Sequence, residues 1–359
     1  MLKLAAIVCI LLPLLSAHCF AQTRTAFGTY GLYPQGSTRV LAMGGAFAAS
    51  SDDASGIFIN PAGSAFSKDQ FDIANGENRV INKEEDWDGD SRPDGLPYFT
   101  RYTSGFIRIG SLAIGGGISS PYELDYDNGG LASQSFHINL TNSFATVAWR
   151  IFKSLSIGVI LFDEKVEYKI VDKTTDSKTT SEDMLKYYGY GLVFQPSPRV
   201  SIGLSHIPRR RYTIDESLNS TTFTQWFYDA LIPSKTTFGI SFLVNTKLKW
   251  SIDADIFGKP DDEVRIPGSF LLGDTFKKKS FMVPHGGFEY FVVRHKHMEF
   301  VWRGGGYNEP ARIENLNSRW HFTMGVEYRM SAFSFSAAYD QAADFSSTAR
   351  SISLKYQFL

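Results

Sequence analysis

The chain has almost no cysteine: of its 359 residues only Cys9 and Cys19 qualify, and both stand near the N-terminus. A disulfide framework, a thiol nucleophile and a cysteine-ligated zinc site are therefore excluded for everything that follows. Charge of one sign is also lacking. Lys and Arg number 36 against 37 Asp and Glu, a formal net charge of −1, which argues against a nucleic-acid binder held by bulk positive charge. Beyond the first residues no apolar run approaches the ~18 residues of a membrane-spanning helix, so a helical membrane protein is excluded too. What is abundant is aromatic residues, 14% of the chain, and glycine, 31 in all.

Lys3, an apolar stretch from residue 4 to 15 and small or polar residues to Ala21 have the order of a secretory leader. Residues 1–21 are thus expected to be a cleaved signal peptide. Its removal takes both cysteines, leaving an exported chain held together by backbone ladders and packing.

After residue 98 a two-residue period dominates. Leu248, Trp250, Ile252, Ala254 and Ile256 alternate with Lys249, Ser251, Asp253 and Asp255; Ile352, Leu354, Tyr356 and Phe358 alternate with Ser351, Ser353, Lys355 and Gln357. Such segments are strands with one apolar and one polar face. Strands are expected near 65–80, 98–109, 111–122, 135–150, 155–171, 184–195, 199–213, 235–245, 247–258, 284–293, 297–308, 319–330, 332–343 and 347–359, fourteen in all. Their connections alternate between short (Gly110, 152–154, 196–198, 245–246, 294–296, 330–331) and mostly long and polar (81–97, 123–134, 172–183, 214–234, 259–283, 309–318). Short turns on one side and long loops on the other describe an outer-membrane barrel, and a soluble sandwich has no reason to sort its loops this way. The expected fold is all-β, a fourteen-stranded antiparallel transmembrane β-barrel over residues 65–359. An aromatic C-terminal strand with Tyr356 and Phe358 suits recognition by the barrel assembly machinery. Tyr187, Tyr188, Tyr190, Trp302, Tyr307, Trp320 and Phe322 cluster near strand ends, as interfacial girdles require.

Residues 22–64 do not read as barrel strand. Small residues dominate, and Asn60-Pro61-Ala62-Gly63 is a strong turn signal. A fourteen-stranded barrel is too wide for its own side chains to fill, so this segment is expected to be an N-terminal plug, or hatch, inside the lumen. Met43-Gly-Gly-Ala-Phe47, then Asp52-Asp53-Ala54-Ser55, then Asn60-Pro61-Ala62-Gly63 resembles the opening of FadL-type outer-membrane transporters of long-chain fatty acids and other hydrophobic compounds. The resemblance implies fourteen strands, a hatch motif at Asn60, Pro61 and Ala62, and passive uptake by loop capture, hatch movement and lateral release. PorV-type barrels, partners in type IX protein secretion, carry a related opening, so that alternative stays open.

Four further features carry candidate chemistry. Gly115, Gly116 and Gly117 precede Ser119-Ser120-Pro121 in the third strand. Glycine inside a strand marks a bend or close approach, and the resemblance implies a lateral opening there; small residues relieving crowding in the lumen are the alternative. Phe223, Trp226, Phe227, Ala230 and Leu231 fit one face of a loop helix, suited either to capturing a hydrophobic ligand or to packing on the rim. Asp86, Asp88 and Asp90 at alternate positions, with Asp94 and two glycines, share one loop, a pattern that suits calcium or simple solvation. Arg209-Arg210-Arg211 is expected at the outer rim, against lipopolysaccharide phosphates, a fatty-acid carboxylate or solvent. Enzyme signatures are lacking: there is no Gly-x-Ser-x-Gly elbow, His-Glu-x-x-His or phosphate loop, and His295 and His297 flank a short turn. The expected partners are a hydrophobic small molecule, outer-membrane lipids and lipopolysaccharide.

Overall fold

The computed structural model describes residues 36–82, 97–127, 134–172, 176–211, 231–258, 280–295, 298–309, 318–345 and 347–358. The expected leader, the calcium loop with Asp86, Asp88, Asp90 and Asp94, the loop residues Phe223, Trp226 and Phe227, and His297 lie outside them.

Fourteen strands build the wall: β1 (Phe71–Asn82), β2 (Pro97–Ile109), β3 (Leu112–Asp127), β4 (Gln134–Phe152), β5 (Leu155–Asp172), β6 (Ser177–Ser197), β7 (Val200–Ile207), β8 (Lys235–Asn245), β9 (Leu248–Phe257), β10 (Phe281–His295), β11 (Met298–Glu309), β12 (Arg319–Met330), β13 (Phe333–Ala342) and β14 (Ser347–Phe358). Each is hydrogen-bonded to its neighbours in chain order, and β1 pairs antiparallel with β14 from Phe71↔Phe358 to Asn82↔Ser347. The sheet therefore closes on itself and leaves no edge.

Burial in the wall is inverted relative to a water-soluble protein. Along β12, Arg319, His321, Thr323, Gly325 and Glu327 are buried while Trp320, Phe322, Met324, Val326 and Tyr328 are exposed. In β9, Ser251 is 0% exposed and its neighbour Ile252 58%. Large apolar side chains displayed in unbroken rows round a closed sheet are stable only against an apolar medium, whereas the polar row faces a lumen. The barrel is a membrane barrel for that reason. About 9–11 residues of tilted strand span a bilayer, so β4, β5 and β6, at 19, 18 and 21 residues, stand well beyond it on the side of the long connections.

The expected strand boundaries need four corrections. The sixth strand starts at Ser177 rather than 184, paired with Asp172, so the connection expected over 172–183 shrinks to 173–176. The first strand starts at Phe71 rather than 65, because Pro61–Phe66 winds into a 3-10 helix capped by the Asn60 side chain. The seventh ends at Ile207 rather than 213, just before Pro208, which has no N–H for the ladder. The third does not stop at Ser119-Ser120-Pro121. It runs on to Asp127, taking up the proline as a register shift between Ser119 and Tyr122. Two girdle aromatics are also corrected: strand alternation turns Tyr187 and Tyr307 inward, both buried, whereas Tyr188, Tyr190, Trp302, Trp320 and Phe322 face outward as expected.

Candidate functional site

Residues 37–66 lie within the wall. Their order is a short helix α1 (Thr38–Ala42), a 3-10 turn at Ala54–Gly56 and the 3-10 helix Pro61–Phe66. Short helices of small residues cannot bury enough surface to hold themselves together, so their backbone groups turn to the wall. Phe47 and Ala48 N–H both donate to Asp253 Oδ2 at 2.6 Å, Ala54 N–H donates to Asp72 Oδ2 at 3.0 Å, and the Thr323, Ser104 and Ser156 hydroxyls donate to the carbonyls of Ala42, Ala54 and Ala62. These contacts come from strands spread round the whole barrel.

Close approach needs glycine on the wall side. A Cβ at Gly203 would stand 2.3 Å from the Ala48 carbonyl oxygen, and at Gly287 2.3 Å from that of Met43. Gly44 answers from the segment, with φ +62° and a Cβ position 2.4 Å from Gly306 N. These are places where only glycine admits one backbone against another.

Charge fastens the same segment. Arg39 donates through Nε and Nη2 to the two oxygens of Glu289 at 2.8 and 2.9 Å, and through Nη1 to Asp52 and Asp53 at 2.9 and 2.8 Å. Asp53 also accepts from Lys355 Nζ at 2.7 Å, and Arg303 links Glu289 to Glu327. Burial opposes the Asp53 charge, but the Lys355 ammonium and the Arg39 guanidinium outweigh it and hold its carboxyl well below the usual carboxylate range. For Arg39 burial is likewise outweighed, by Glu289 first and then Asp53, and its guanidinium is held well above its ordinary value.

The motif residues Asn60, Pro61 and Ala62 sit where the segment meets β5 and β6. Asn60 Oδ1 accepts from Ala62 N–H at 3.2 Å, and its Nδ2 donates to the carbonyls of Ala48 (2.8 Å) and Leu192 (3.2 Å). One amide thus caps a helix, crosses to another part of the segment and ties it to the wall.

The inner wall of β2 to β6 differs in kind. Tyr102, Phe106, Phe144 and Phe162 form one buried apolar cluster, joined by Ile57 and the partly buried Phe58 of the segment. Phe58 lies 6.0 and 5.9 Å, ring to ring, from Tyr102 and Phe144. The wall rings are buried, packed on one another and on the segment. Just beyond them, on the side of the long connections, Arg210 Nη1 donates to both oxygens of Glu164 (3.1 and 3.0 Å) and to Tyr187 Oη (2.7 Å), with its guanidinium 5.0 Å from the Tyr187 ring centre.

That placement corrects the rim reading for Arg210 alone: its guanidinium points inward, where Nη1 donates to buried Glu164, while Arg209 is exposed. Arg210–Arg211 and Leu231–Ile232 form a separate two-stranded ladder; the Leu231 side chain lies outside the described residues. Gly115, Gly116 and Gly117 are laddered on both sides, to Phe106, Gly105 and Ser104 of β2 and to Thr146, Ala145 and Phe144 of β4. No gap opens at them. Gly115 and Gly117 face inward, where added Cβ atoms would crowd Phe106 Cβ at 2.8 Å and Phe144 Cζ at 2.9 Å, so the run makes room for the aromatic face. The residues that the sequence reading did not single out are Arg39, Asp253, Glu289, Lys355 and Glu164. The signal was a charged residue on the inward register of a strand, visible for Asp253 and Lys355, but with no partner to read it against.

No family model matches the sequence, and no curated protein matches it. Solved structures do. A Pseudomonas aeruginosa FadL homologue superposes with a TM-score of 0.63 at 12% identity, covering 90% of this chain and 98% of its own. The Ralstonia pickettii toluene transporter TbuX gives 0.62 at 16% identity, over 90% and 98%. The monoaromatic hydrocarbon channel CymD gives 0.61 at 14%, over 90% and 97%. At such identities the likeness speaks for architecture, and the architecture agrees over nearly the full length of each: this chain has the fold of the FadL-type channels.

Proposed function

We propose that the chain is a non-catalytic outer-membrane channel for hydrophobic small molecules, long-chain fatty acids or aromatic hydrocarbons, driven by diffusion down their gradient. The observation that carries the reading is the aromatic inner face of Tyr102, Phe106, Phe144 and Phe162 beside Phe58, set in a lumen lined elsewhere largely by polar and charged side chains. An apolar solute gains roughly 25 cal/mol per Å² on leaving water for such a face. The fold of a toluene transporter and a monoaromatic hydrocarbon channel supports it.

In this reading residues 1–21 direct export, the segment that follows, through the 3-10 helix ending at Phe66, acts as the hatch, and the strands from Phe71 onward form the barrel, placed by the assembly machinery among lipid and lipopolysaccharide. Phe223, Trp226, Phe227 and Leu231 make the first capture surface. The solute then passes to the aromatic face as the hatch shifts about Asn60-Pro61-Ala62. It leaves sideways through β3, where the Gly115–117 run adjoins the register break at Ser119 and Tyr122. Mass spectrometry of the purified barrel tests the proposal. A channel of this kind carries a bound lipid, hydrocarbon or detergent in its lumen; a barrel that retains none and instead holds a secreted protein domain overturns it in favour of a secretion partner.

A further inference from the structure

Four side chains beside the aromatic face form a polar islet that the structural frame does not explain. Asn142 of β4 lies directly opposite Glu164 of β5 in the ladder. Glu164 accepts from Arg210 and from Tyr187, whose hydroxyl donates to its Oε2 at 3.0 Å. Asn142 is only 7% exposed. Two buried atoms of this islet have no partner among the described residues: Arg210 Nε, a donor, and Asn142 Oδ1, an acceptor. Leaving such atoms unmet is costly.

We propose that Asn142, Glu164, Tyr187 and Arg210 form a head-group subsite for an apolar molecule bearing one uncharged hydroxyl, an alcohol or a phenol. A hydroxyl both accepts and donates, so it has the chemistry that Arg210 Nε and Asn142 Oδ1 each call for. A hydrocarbon meets neither. A carboxylate only accepts: it suits Arg210 Nε but faces the oxygen of Asn142 and the charge of Glu164, which already neutralises the arginine. An ammonium only donates and faces the guanidinium. The apolar remainder of the ligand then lies against Phe144 and Phe162, which flank the islet on the same strands, at the two-residue spacing that keeps side chains on one face. This inference rests on the channel reading and adds to it a preference for neutral amphiphiles among the hydrophobic solutes that pass.

The test uses the full chain, purified into a detergent-free amphipathic polymer, and calorimetric titration with three ring compounds of one shape: p-xylene, p-cresol and p-toluate. The subsite predicts that p-cresol binds a few-fold to about tenfold more tightly than p-xylene, the span expected from one or two neutral hydrogen bonds, and that p-toluate is the weakest. Asn142→Leu brings p-cresol down to the affinity of p-xylene. Glu164→Gln frees the arginine and raises p-toluate by about tenfold. Equal binding of p-cresol and p-xylene, the result if a water molecule already serves both atoms, overturns the subsite and leaves the channel reading standing, as does p-toluate binding as tightly as p-cresol. Failure of the unaltered protein to bind any of the three overturns the channel reading itself and the subsite with it. The ranking in the unaltered protein needs no variant to fold.

Discussion

Arg39 and Glu289 stand 250 residues apart in the chain and share two parallel hydrogen bonds of 2.8 and 2.9 Å inside the barrel. This pairing joins helix α1 of the inner segment to β10. It is backed on one side by Arg303, which bonds the same carboxylate, and on the other by Asp53 and Lys355. Without Arg39, Glu289 keeps Arg303 and Asp53 keeps Lys355, so the loss stays below the about 3–5 kcal/mol of a fully uncompensated buried charge. Arg39→Gln is therefore expected to loosen the segment without breaking the wall. Single-barrel conductance in a planar bilayer checks this: the variant should open to larger, longer-lived conductances than the unaltered protein, and an identical trace counts against the lock.

The glycine contacts give a sharper steric prediction. Gly287→Val sets a branched side chain where a Cβ already lies 2.3 Å from the Met43 carbonyl oxygen. The wall cannot yield at that point without breaking its ladder, so the segment must move. Limited proteolysis in detergent should cut the variant within residues 40–60 while sparing the same region of the parent. Equal resistance would show that the approach is less tight than described.

Acid gives a third test, and its sign follows from Asp53. A carboxyl held below its ordinary value contributes stability that is present above the unfolded pKa of about 4 and is lost as pH falls through the lower, folded value. The Asp53 contacts should thus be unchanged between pH 7 and pH 4 and fail only in stronger acid. In Lys355→Met the chief partner is gone and burial pushes the carboxyl up, so the conductance onset should move to higher pH. An onset that does not move removes Lys355 from the lock.

For the acidic loop, calorimetry with calcium alone decides between ligation and solvation. Carboxylates at alternate positions are expected to bind in the range of about 0.1–1 mM typical of extracellular modules, and Asp88→Asn should abolish the heat. No heat at millimolar calcium dismisses the site.

Lateral release is testable through the ladder. Thr103 and Ile118 are directly opposed across β2 and β3, at the separation a disulfide accepts. Their replacement by cysteine should staple the wall and slow uptake reversibly, with reduction restoring it. Unchanged uptake in the oxidised form would falsify the sideways exit.

Most of the wall was legible in the sequence, because a membrane barrel writes its two environments into alternate residues. Leu248 to Ile256 shows this: each apolar residue there faces outward or toward a neighbour, and Ser251 and Asp253 face the lumen. The errors came where local chemistry overrode alternation. Pro208 ended β7 early, Pro121 was absorbed as a register shift, and Pro61 helped turn residues 61–66 into a 3-10 helix. The lock was not legible, since the wall partners of Arg39 and Asp53, Glu289 and Lys355, lie 250 and 302 residues away and a local window holds only the pairs of Arg39 with Asp52 and Asp53. Asn60 was found through its motif, yet its capping and bridging roles appear only once β6 is in place.

The central claim is that the aromatic face serves passage of hydrophobic solutes through the barrel. Initial-rate uptake of labelled toluene and of a labelled long-chain fatty acid, compared in cells carrying the chain, cells lacking it and cells carrying Phe162→Asp, tests it most directly. The account predicts faster uptake of at least one solute with the unaltered chain and a fall to the background rate with Phe162→Asp at equal barrel levels. Equal rates in all three would contradict it.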